Sequence, residues 1–169
     1  MDAVAGLLLG VVLFMQAWQL FGLSQSKTTG IVGVAGAIGL ASLLVAGKPL
    51  DMFTKTPVEA LAISVMLWAI YAALLAGEGL WGIDPRGFGL YSIWAAVGAI
   101  GQVSYCLIAP HYSLGGIICG AVNIVAFGMV FFYLGVPFKG LRLSTAWVLV
   151  VVGVIHGLLS GMMLRGVLT

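Results

Sequence analysis

Six stretches of about twenty apolar residues follow one another along the chain, at roughly 3–23, 29–47, 57–81, 88–109, 113–136 and 144–164. A helix needs about that length to cross the ~30 Å hydrocarbon of a bilayer. Without water to satisfy backbone N–H and C=O groups, such segments must be helical. The expected fold is therefore all-α: a polytopic membrane protein whose six transmembrane helices form three tandem hairpins in one domain, 1–169. Composition agrees, since only 7% of the 169 residues are charged and 62% are hydrophobic. A soluble domain carries roughly 25% charged residues to face water. The first run opens on Asp2 without a basic leader and exceeds the roughly 7–15-residue core of a signal peptide, so it reads as a span.

The breaks between the runs are short and hold most of the charges, with Pro49, Pro57, Pro85, Pro110 and Pro137 among them. They also repeat. Spans one, three and five end "LFGLSQSK", "LWGIDPR" and "YLGVPFK", with Gly22, Gly82 and Gly135 followed by Lys27, Arg86 and Lys139. Glycine suits a helix C-terminus, where it adopts the left-handed conformation, and a cation there complements the helix dipole. The face with these turns carries Lys27, Arg86, Lys139 and Arg142, against Lys48, Lys55 and Arg165 on the other. By the positive-inside rule the turns lie in the cytoplasm and both termini outside. Small residues at fourth positions (Gly33, Ala37 and Ala41; Gly116 and Gly120; Gly153, Gly157 and Gly161) predict close helix packing.

Polar groups inside spans are costly and mark function. Gln16, Gln102 with Ser104, Asn123, and His156 with Ser160 fall well inside, and Glu78 lies one turn from the end of span three. No carboxylate pair, Ser-His-Asp order or ligand cluster supports enzymatic chemistry, a metal site or a cofactor, so none is expected. A net charge of +2 without a basic run gives nucleic acid no purchase. Cys106 and Cys119 lie in apolar runs and read as buried, inert thiols. Neutral hydrogen-bonding groups among aromatic rings suit the passage of small neutral solutes while the low dielectric turns ions away. The lining expected is Gln16, Glu78, Asn123 and His156, with Trp68, Tyr71, Trp94 and Phe127 as walls. Each has a plainer alternative: helix–helix bonding for Gln16, Asn123 and His156, snorkelling for Glu78, and an interfacial or lipid-facing belt for Trp81, Trp94 and Trp147. Asp84 and Arg86 suggest an ion pair fastening a turn. His111, in the fourth connector, titrates near physiological pH when unperturbed.

The stretch "GIDPRGFGLYSIWAAV", 82–97, resembles the turn between the third and fourth spans of the urea/amide channel family: an acid, a cation, glycine, an apolar residue, glycine, then an aromatic-rich helix. Here the pattern falls on Asp84, Arg86, Gly87, Gly89, Tyr91 and Trp94, just after Gly82. "LLLGVVLFMQAWQLFGL" is similar to that family's first span, with Gln16 where an asparagine is common. The resemblance covers 7–23 and 68–97; elsewhere it is topological. It implies a passive channel for urea or short-chain amides in a bacterial or archaeal plasma membrane. It also implies an external N-terminus and a homo-hexamer in which each protomer has its own pore. An asparagine near the end of the family's third span is replaced by Glu78.

Two departures bear on the pore. Span five, "GAVNIVAFGMVFFYL", has none of the family's tryptophans and offers Asn123, Phe127, Phe131 and Phe132 instead. "HGLLSG" stands in span six where the family has a tryptophan–proline pair. Either the slot is remodelled for another solute, or the fold serves as an accessory subunit of a larger membrane complex. Fold alone does not decide.

Overall fold

Apolar runs become helices wherever the chain supplies a stop or a start. α1 (Asp2–Phe21) stops at Gly22, whose φ is +83°. There the Leu23 N–H donates to the Trp18 carbonyl and the Gly22 N–H to that of Gln19, both at 2.9 Å. This paired closure is a Schellman motif. Arg142 adds a third bond, its Nε donating to the Leu20 carbonyl at 2.6 Å, so the start of the last helix caps the end of the first. α2 spans Ser26–Ala46, and α3 spans Val58–Trp81 and ends at Gly82, with φ +66°. α4 (Pro85–Ile108) begins on an N-cap: Asp84 Oδ1 accepts the Arg86 backbone N–H at 2.9 Å, with Pro85 at the first helical position. Asp84 thus fastens the turn through the backbone, in place of the side-chain ion pair with Arg86 suggested by sequence.

α5 (Leu114–Val130) continues as a π-helical turn, Phe131–Gly135, and a 3₁₀ turn, Lys139–Leu141, leads into α6 (Arg142–Leu164). The repeat of C-terminal glycines breaks here. Gly135 has no left-handed φ; it lies against Gly89, where a Cβ on Gly135 would come within 3.2 Å of the Gly89 backbone. Gly89 is accordingly a helix-crossing residue and not part of the turn, while Gly87 faces open space. The structure is a computed structural model that describes residues 2–46, 58–108 and 114–164. His111, Lys48, Lys55, Arg165, Pro49, Pro57 and Pro110 lie outside the described residues.

The six helices form a ring in sequence order, closed by α1 against α6. All six are long and apolar enough to cross a membrane. The seams alternate between tight and loose. The most extensive packing joins α1 to α6, α2 to α3 and α4 to α5, across the boundaries of the expected hairpins; α1 with α2, α3 with α4 and α5 with α6 touch less. Glycine explains the tight seams. A Cβ on Gly10 would stand 2.8 Å from the Gly153 carbonyl, one on Gly33 2.8 Å from that of Ala72, and one on Gly79 2.8 Å from the Gly30 Cα. Backbones this close gain dispersion contacts, which drive helix association in lipid. Part of the predicted small-residue stripe points elsewhere: Gly157 and Gly161 meet open space. Large apolar side chains such as Leu7, Ile31, Ile38, Ile100 and Leu158 face outward, while Gln16, Gln102, Asn123 and His156 are buried. Among the described residues, this polarity is the reverse of a water-soluble protein's.

Candidate functional site: two cavities and an aromatic barrier

One face of α3 runs the length of the interior. Ser64, Trp68, Tyr71, Leu75 and Glu78 recur at spacings of three and four, which places them on a single stripe. At the end of the ring that carries Gly22 and Gly82, here the turn side, Glu78 joins Gln16, Gln19 and Leu20 of α1, Tyr133 and Leu134 of the π turn, and Arg142 around a cavity of about 110 Å³. At the opposite, termini side, Ser64 and Trp68 join Gly6 and Leu9 of α1, Leu40 of α2, Gln102 of α4, Cys119 of α5, and His156 and Ser160 of α6 around a second cavity of about 50 Å³. Since a water needs roughly 10–15 Å³ of such space, even the smaller one has room for more than one.

Between them lies a layer of rings. Trp68 and Phe127 stack with centroids 4.3 Å apart and planes at 27°. Tyr71 meets Trp68 edge-on at 4.9 Å and Phe88 at 4.6 Å. All four are at most 2% exposed. The Tyr71 hydroxyl donates to Gln16 Oε1 at 2.5 Å. Tyr71 thus stands between the two: its hydroxyl bonds a residue of the turn-side cavity, and its ring touches one of the termini-side cavity. Leu9 lines one cavity and Gln16 the other, so the layer is about 10 Å thick at 1.5 Å per residue. Among the described residues the two cavities share no lining residue.

The interior gathers seven of the eight expected lining residues. Gln16 and Glu78 line the turn-side cavity, and Trp68 and His156 the other; Tyr71 and Phe127 form the layer between. Asn123 is buried beside the termini-side cavity without lining it. Its Nδ2 donates to Ser64 Oγ at 3.5 Å, and its Oδ1 is buried without a partner. Trp94 differs: it is 73% exposed on the outer surface, because its position on α4 lies opposite the face holding Ser92, Ala95, Ala99 and Gln102. Ser104 is also on the outside. Trp81 and Trp147 are exposed, as a belt residue would be.

Gln19 and Ser64 escaped the sequence reading. Both were within its reach, since Gln19 follows Gln16 by three and Ser64 precedes Trp68 by four. Among the described residues no three His, Cys, Asp or Glu side chains gather to hold a metal ion. Compared with known protein families, curated proteins and solved structures, the chain matches none.

Proposed function

We propose that the protein is a passive membrane channel or facilitator for small neutral solutes such as urea or short-chain amides. The observation that carries this reading is the hourglass interior: two cavities with polar groups at opposite ends, parted by a single layer of aromatic rings. A solute would exchange its water for Gln16, Gln19 and Glu78 at one end and for Gln102, His156 and the serines at the other. Between them it would slip past Tyr71 when that side chain leaves Gln16. The barrier's low dielectric excludes ions, so selectivity would come from size and hydrogen bonding. The resemblance at 82–97 favours the same solute class and adds a hexamer of independent pores with external termini.

Proteoliposomes test it. Acetamide or urea should equilibrate faster across vesicles containing the protein than across empty ones, with no dependence on a proton gradient. Equal rates would remove the transport reading.

The second reading, an accessory subunit of a larger membrane complex, is favoured by the barrier itself. Trp68, Tyr71 and Phe127 fill the centre as a solid core would. A stable partner co-purifying in stoichiometric amount favours that reading; an isolated homo-oligomer favours the channel.

A further inference from the structure

The termini-side cavity concentrates unused hydrogen-bonding capacity. Gln102, on α4, is 6% exposed, lines the cavity and makes no hydrogen bond among the described residues, leaving both its carbonyl and its NH₂ free. His156, on α6, is 5% exposed and lines the same cavity. Its Nδ1 lies 2.9 Å from the Val152 carbonyl. A carbonyl only accepts, so in the neutral ring Nδ1 carries the hydrogen and Nε2 keeps a bare lone pair without a partner. Trp68, on α3, completes the wall, and its Nε1–H is buried with no acceptor. Buried polar groups are almost always partnered; here the enclosed Trp68 N–H has no partner, and with Gln102 and His156 Nε2 on the lining of the same cavity it marks a place where something binds.

We infer that this cavity is a binding site for one small planar solute of the amide class. The solute's N–H group donates to His156 Nε2, its carbonyl accepts from the Trp68 indole, and the Gln102 amide pairs with whichever edge remains. The set demands a ligand that donates and accepts at once. A ketone leaves His156 unmatched, and a hydrocarbon leaves all three. Among the described residues no Asp, Glu, Lys or Arg lines this cavity, so an ion would be stripped of water without compensation. The site rests on the transport reading for its solute class. It goes further in fixing where the solute dwells and which residues choose it, and Gln102 was not among the lining residues expected from sequence.

The test follows His156 directly. The ¹⁵N resonance of its Nε2, in histidine-labelled protein assigned with His111→Ala, is recorded during titration with acetamide and with acetone, which has the same shape but no N–H. Acetamide should shift Nε2 saturably and acetone should not. Gln102→Leu should weaken the acetamide response by about tenfold, as for one lost hydrogen bond to a bound ligand. No shift with acetamide, or an equal one with acetone, overturns the site whether or not the variant folds. A response unchanged in Gln102→Leu overturns the role of Gln102. Vesicle flux without any Nε2 response keeps the channel and rejects this site. A saturable response without flux keeps the site and rejects the channel.

Discussion

The two cavities differ in chemistry as well as position. The turn-side cavity is bordered by a carboxylate, a guanidinium, two glutamines and a tyrosine at the ends of helices, where Arg142 also caps α1. Among the described residues the termini-side cavity has only neutral groups, set about one to three turns in from the opposite helix ends, and most of its wall is aliphatic or aromatic. Charge is cheap near a helix end, where water or headgroups are close, and costly further in. On the proposed transport reading, the first cavity gathers solute and the second chooses it, with Tyr71 between the two.

The largest expected effect comes from removing that partition. Tyr71→Ala deletes a fully buried ring and should cost about 3–5 kcal/mol of stability, as aromatic truncations do. It should also merge the cavities, so that surviving protein passes solutes larger than acetamide. A destabilised variant with unchanged solute range would break the two-chamber picture.

A smaller effect separates the walls. Gly10 and Gly153 form the α1–α6 seam beside the neutral cavity, and Gly10→Val would press a side chain into the Gly153 carbonyl. The expected loss is about 1–3 kcal/mol. Gly157→Val, on the same helix pair but facing open space, should change stability by about 0.5 kcal/mol or less. Both are read by unfolding in mixed detergent micelles; equal losses would mean that glycine proximity does not set the seam.

The smallest concerns the charged chamber. Glu78→Gln keeps the shape and removes the charge, and acetamide flux in proteoliposomes should move by less than about twofold, since a partly solvated carboxylate contributes little to holding a neutral solute. A tenfold change would assign selection to the turn side and reverse the division of labour.

Much of this was legible in the sequence. The six helix spans follow from apolar run length, because hydrocarbon thickness leaves few alternatives. Gln16, Glu78 and His156 were legible as interior groups because polar residues in a span must turn inward or lie at its ends; Trp68 and Tyr71 share the helix face of Glu78, and Phe127 that of Asn123. Trp94 was not: an aromatic residue tolerates the outer surface as well as the core, and its facing depends on the rotation of α4 about its axis. That rotation goes with tertiary packing such as the Gly89–Gly135 contact, a pairing of distant residues that local pattern does not encode. The same holds for the seams. Glycine stripes predicted close approach, but which helices would meet was decided by the geometry of the whole ring. The third turn, too, read as a copy of the first two until its glycine proved to serve a crossing.

The closure of the ring by α1 against α6 has a consequence for how the protein is made. Of these six helices the one synthesised first finds its most extensive packing against the one synthesised sixth, so the Gly6 and Gly10 face stays uncovered while four further helices are made. The ring therefore closes in one late step, and a chain halted before Arg142 would leave α1 without the companion that locks it.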